Sequence, residues 1–99
     1  MNIRQLAINS VSTRHHDLPD ILAAYEAAGF ANVEFTLKHV YDFLEAGHCL
    51  QDVRALLQQH QLRCIGGFET AAVCFAPAEE CAQNHDRILA NCQLVGELG

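Results

Sequence analysis

Apolar residues in this chain switch between two spacings, about every ten to fifteen residues, from alternation to three- and four-residue steps and back. That switch constrains the fold more than any other feature, because it marks β-strands alternating with α-helices. Ile3 to Ile8 reads as a first strand, with Ile3, Leu6 and Ile8 apolar, followed by a polar loop over 9–13. Asp17 is placed to cap a first helix, with Pro19 and Asp20 in its first turn. Leu18, Ile21, Leu22, Tyr25 and Ala28 form one helical stripe, and Gly29 stands where a left-handed cap would end it, with Phe30 folding back. Asn32 to Leu37 alternates as a second strand, and Lys38 to Gly47 reads as a long connection with a helical turn at 41–46. Leu50, Val53, Leu56 and Leu57 predict a second helix, and Leu62 to Phe68 a third strand. After an unusually apolar loop over 70–78, a third helix runs from Glu79 to about Leu98, with Gly99 as its cap. Cys81, His85, Ile88, Cys92 and Val95 are its expected inward stripe.

The order β-α-β-α-β-α, repeating about every 30 residues, predicts an α/β fold with a parallel sheet and right-handed crossovers. The 99 residues make a single domain at most, and fewer than the roughly 250 that a closed (β/α)8 barrel takes.

Composition narrows the partners. With 6 Lys+Arg against 12 Asp+Glu, the formal charge is −6, and the basic residues form no cluster. Binding to nucleic acid or to an anionic membrane surface needs such a cluster, so neither is expected. No apolar run approaches the ~18 residues of a membrane span, and the N-terminal residues hold no apolar signal core. The expected location is the cytoplasm. The five cysteines contain no C-x-x-C pair and read as reduced thiols, not as a zinc ribbon or redox motif.

Several stretches together resemble the sugar phosphate isomerase/epimerase family, TIM barrels of the xylose isomerase-like superfamily. They are Ile8-Asn9-Ser10-Val11-Ser12, Asp17-Leu18-Pro19, Ala27 to Phe35, His60 to Ile65, and Cys92 to Gly99. The resemblance covers nearly the whole chain and implies the first three βα units of a (β/α)8 barrel, incomplete at 99 residues. It implies a sugar or sugar phosphate as substrate and a divalent metal ion (Mn, Mg, Co or Zn) in the full barrel. The ion polarises neighbouring sugar oxygens while a carboxylate moves the proton next to a carbonyl. The family's metal-binding Glu, Asp, His and Glu come from later strands, so no metal ligand is carried over and the catalytic pair stays unassigned. This chain alone is expected to hold no metal and to be inactive. It departs from the family at Gln61, where a Gly is usual, which asks a non-Gly residue to adopt a left-handed conformation.

Barrel sites lie at the C-terminal ends of strands. The positional candidates are Asn9, Ser10, Glu34, Thr36, His39, Phe68 and Glu69. Asn9, Glu34, His39 and Glu69 are the expected substrate-binding residues. Glu34 stands out as a carboxylate in an apolar run; the bland alternative is a strand residue bonded to a neighbour. His39 follows strand two, and Glu69 follows the glycine pair Gly66-Gly67, which either admits a ligand or relieves crowding. His15 and His16 are adjacent and point apart on a helix, so they fit a loop better than a shared ion. Cys81, His85 and Cys92 read as core positions, since the trio spans too far along a helix for one ion. Cys64 and Cys74 have no activating base nearby in sequence.

Two functional readings follow. One is the N-terminal part of an isomerase or epimerase barrel; the other is a small non-catalytic α/β module binding a ligand or partner at its strand ends. A homo-oligomer is compatible with either, although three-unit chains do not tile an eight-unit barrel.

Overall fold

The computed structural model describes residues 2–99. Its three strands are β1 (Ala7–Asn9), β2 (Asn32–Thr36) and β3 (Arg63–Phe68), all parallel, in the spatial order β1-β2-β3. Four α-helices accompany them: α1 (Leu18–Ala27), α2 (Leu37–Glu45), α3 (Leu50–Gln59) and α4 (Ala78–Leu98). The expected α/β class with a parallel sheet is therefore present.

Strand β2 shows how the layers form. Val33 and Phe35 are fully buried, while Asn32, Glu34 and Thr36 between them are half-exposed. The buried pair joins one core with Leu18, Ile21, Leu22 and Tyr25 of α1, Val53 and Leu57 of α3, and Leu98 of α4. Both crossovers step the same way along the sheet, and a constant hand then puts the helices on one face. The opposite face carries Asn9, Glu34, Thr36 and Phe68, paired strand to strand. Where Ile65 is inserted opposite the Val33/Glu34 step, the register shifts, so Gly66 pairs with Glu34 and Gly67 with Phe35.

Helix α1 begins and ends close to expectation, with Leu18, Ile21, Leu22 and Tyr25 buried. Ala28 is exposed, and Asp17 makes no side-chain cap. Gly29 takes φ +90°, and the Phe30 N–H donates back to the Tyr25 carbonyl, closing the helix as a glycine cap does. Gln61 does adopt a left-handed φ of 55°.

Three boundaries differ from the sequence reading. The first strand starts at Ala7, because Ile3–Gln5 is a 3-10 turn. The Asn2 side chain accepts from the Arg4 N–H and the Gln5 side chain accepts from the Asn2 N–H, so local bonds outcompete the ladder. The connection after β2 is a nine-residue helix, α2, with Leu37 and Val40 buried and Tyr41 and Leu44 packed on the core. That set repeats at helical steps, and a Lys38–Asp42 pair at 2.6 Å supports it. Lastly, α4 keeps Cys81, Ile88 and Val95 of its expected inward stripe but not His85 and Cys92. Cys92 and His85 are exposed, and the inward set is Cys81, Asn84, Ile88, Asn91, Leu94, Val95 and Leu98. The two asparagines turn inward because each finds partners there. Asn84 bonds the Ala71 carbonyl and the Val73 N–H, and Asn91 bonds Glu69 and Tyr41.

Candidate functional site

The strand ends place polar groups in two neighbouring settings. On the uncovered sheet face, Asn9 and Glu34 are register partners. Asn9 Nδ2 donates to Glu34 Oε1 at 2.5 Å. Asn9 Oδ1 accepts from the Val11 N–H at 2.8 Å and from Thr36 Oγ1 at 3.3 Å. One Asn side chain thus fixes the turn after β1, a carboxylate on β2 and the hydroxyl ending β2. Gly66 lies beside this row; even an added Cβ there would stay 3.9 Å from Glu34 Oε2, so the second carboxylate oxygen has room next to it.

Behind that row, Ser10 is fully buried. Its Oγ accepts from the Thr36 N–H at 2.7 Å and lies 3.0 Å from His39 Nδ1. His39, on the first turn of α2, is 8% exposed, and its Nε2 is buried with no partner among the described residues. The imidazole lines a cleft of ≈490 Å³ between the loop after β1, the start of α1 and the outer side of α2. Arg14, His15, His16, Asp17, Asp20 and His48 line the same cleft.

Glu69 is placed differently. It borders a second cleft of ≈500 Å³ with Phe68, Ile88 and Val95. Its carboxylate is gripped by Arg87 at 2.9 and 3.0 Å and by Asn91 Nδ2 at 3.0 Å. The hydrogen bonds from Arg87, with those from Asn91, hold the Glu69 carboxyl below its usual range. Arg87 also lies over the Tyr41 ring, 4.3 Å from its centre, and the Tyr41 hydroxyl donates to Asn91 Oδ1. This network ties the end of β3 to α4 and α2, so Glu69 already serves as a structural anchor.

The four expected substrate residues therefore separate. Asn9 and Glu34 meet on the sheet face, His39 faces the histidine-lined cleft, and Glu69 joins the α4 network. His15 and His16 reach the cleft from the loop, as their positions predict. Sequence reasoning missed His48, Arg14, Asp42 and Phe43 as lining groups. His39, Asp42, Phe43 and Ala46 share one face at helical steps, a signal legible only once the stretch is read as a helix.

Cys64 is buried, and burial pushes its thiol up, against a smaller lowering by its bond to the Gly66 carbonyl. That is the wrong direction for a nucleophile. Among the described residues no three His, Cys, Asp or Glu side chains are grouped so as to hold a metal ion. The described residues therefore offer no donor set that fits the divalent ion implied by the family resemblance. No helix among the described residues is long and apolar enough to cross a membrane. No protein-family model, no curated protein and no solved structure matches the chain.

Proposed function

We propose that these residues form the first three βα units of a (β/α)8 barrel, and that they supply one wall of the sugar pocket of an isomerase or epimerase. The observation that carries this reading is the bonded row Asn9–Glu34–Thr36, on the uncovered face at the C-terminal ends of β1 and β2. In a barrel that face is the interior, and that end is where substrates bind. The order β1-β2-β3, with helices on one side, is also how a barrel wall is laid down.

The row suits a substrate-orienting task. Asn9 holds Glu34 Oε1, leaving Oε2 over Gly66 to accept a sugar hydroxyl. Because Asn9 is itself pinned at both ends, the carboxylate is set in place before substrate arrives, which lowers the ordering cost of binding. Proton transfer at the carbon next to the carbonyl, and any metal chemistry, fall to groups outside this row.

The test is a titration of the 15N-labelled chain with aldoses, ketoses and their phosphates, read at the amides of Asn9, Glu34 and Thr36. One compound of the panel should shift them saturably, with binding about tenfold weaker in Glu34→Gln. A panel that leaves all three amides unmoved refutes the assignment of this wall.

A further inference from the structure

Phe75, in the loop between β3 and α4, is 103% exposed, so its ring is left wholly in water. The loop that carries it is nevertheless held on both sides. Asn84 Oδ1 accepts from the Val73 N–H and Asn84 Nδ2 donates to the Ala71 carbonyl, each at 2.9 Å. His85 Nε2 donates to the Val73 carbonyl at 3.0 Å, and Cys81 Sγ to the Ala76 carbonyl at 3.4 Å. An aromatic ring displayed on a braced loop loses little freedom when it is buried, which is the property of an interface anchor.

The same side of the molecule carries a receptor for such a ring. The cleft of ≈500 Å³ between β3 and α4 is lined by Phe68, Ile88 and Val95 and by three glycines, Gly66, Gly67 and Gly96. A Cβ added at Gly96 would meet nothing within 4 Å, so the cleft is open there. Ile65, Phe68, Phe75 and Leu89 are the large apolar side chains left exposed on β3, on α4 and on the loop joining them.

Area and charge say what covers this side. The chain exposes 6397 Å². A compact monomer of 10.9 kDa exposes about 5,600 Å². The excess, about 800 Å², is the share that one partner contributes to a standard protein–protein interface. Charge favours a second copy as the occupant. Neither Thr70 to Ala78 nor Ile88 to Gly96 holds a charged residue, and Glu69 and Arg87 at the border are paired with each other. Two chains of net charge −6 can therefore meet on this side without bringing bare like charges together. A two-fold axis then places each Phe75 in the other copy's cleft, covering both at once and leaving no further site open.

We propose that this face is a homodimer interface, in which Phe75 of each copy enters the cleft between β3 and α4 of the other. The inference goes beyond the sheet-face reading, and none of the residues that carry it belongs to the row Asn9–Glu34–Thr36.

The experiment is sedimentation of the full chain over about 1–200 μM, the weak end of affinities for an interface of this size. A reducing buffer keeps the exposed Cys74 and Cys92 from cross-linking copies. The parent should saturate at twice its mass of 10.9 kDa. Phe75→Ser removes no contact within the fold and should weaken association about tenfold or more. Gly96→Gln fills the cleft from a position with room for a side chain, and should do the same. The serine variant keeps its cleft and the glutamine variant keeps its Phe75. An equimolar mixture of the two should therefore associate more tightly than either alone, a rescue that a local defect in folding does not give. Val11→Ser, at the other edge of the sheet, and Glu34→Gln should both associate as the parent does, so failure here and failure of the sheet-face assignment remain distinct. If Gly96→Gln unfolds, Phe75→Ser decides. The proposal is overturned if the parent stays monomeric, if its mass climbs past the dimer, if Phe75→Ser associates as the parent does, or if two folded variants associate no better mixed than apart.

Discussion

Adjacent glycines in β3 offer a sharp test of how closely its neighbours pack around it. A Cβ added at Gly67 would lie 2.9 Å from Leu37 Cδ2, 3.0 Å from the Phe35 carbonyl oxygen and 3.2 Å from Val95 Cγ2. The leucine methyl can rotate away, but the Phe35 oxygen belongs to the neighbouring strand and cannot move alone. At Gly66 the nearest atoms to an added Cβ are 3.9 Å away, both on the Glu34 side chain. Neither glycine is among those with positive φ, so backbone strain does not separate them. Replacing either by alanine removes the same unfolded-chain freedom, a gain of roughly 0.4–1 kcal/mol. Only Gly67→Ala adds overpacking, typically about 1–3 kcal/mol. The backbone contribution cancels in the comparison, so Gly67→Ala should be less stable than Gly66→Ala by about 1–3 kcal/mol. For a chain of this size that is a difference in Tm of roughly 4–24 °C. Urea and thermal melts followed by far-UV circular dichroism measure it. Equal midpoints for the two variants, within about 0.5 kcal/mol, would show that Leu37, the Phe35 carbonyl and Val95 do not close over Gly67 as described.

Three further outcomes follow from the same contacts. Ser10→Ala strips the Thr36 N–H and His39 Nδ1 of their partner and should cost about 2–4 kcal/mol in urea melts, whereas exposed Ser12→Ala should stay within about 0.5. Gln61→Gly relieves a left-handed φ of 55° and should raise stability by about 0.5–1 kcal/mol; a loss on denaturation would contradict that. Because folding lowers the Glu69 carboxyl, its contribution is present above the unfolded value of about 4.3 and fades as pH falls through the lower folded value. Glu69→Gln should therefore flatten the acid limb of a stability–pH curve, and high salt should shrink the difference because the ion pair is solvent-accessible.

What could be read along the chain was whatever depends on near neighbours. The strands around Val33–Phe35 and Cys64 and the helix through Leu18–Tyr25 with its Gly29 cap follow from local spacing and turn chemistry, whereas the αL conformation of Gln61 was implied only by the family resemblance. Asn9, Glu34 and His39 were legible as strand-end groups because alternation marks where a strand stops. The failures have different causes. At Ile3–Gln5, side-chain bonds from Asn2 and Gln5 replaced an apolar pattern, and at Leu37–Glu45 a polar, histidine-bearing stretch hid a helix whose apolar residues are spaced correctly.

The sequence by itself determined the alternation of strands and helices, and with it a parallel sheet. Only the tertiary structure decided which groups meet. The face that α4 presents is set by Asn84 and Asn91 finding partners 11 and 13 residues away, and 22 and 50 residues away, respectively. The bond of Ser10 to His39 joins residues 29 apart, and the pairing of Asn9 with Glu34 joins residues 25 apart. Periodicity reports which way a side chain points relative to its own element. It carries no information on what waits across the gap, and at this chain's strand ends that is where the chemistry is set.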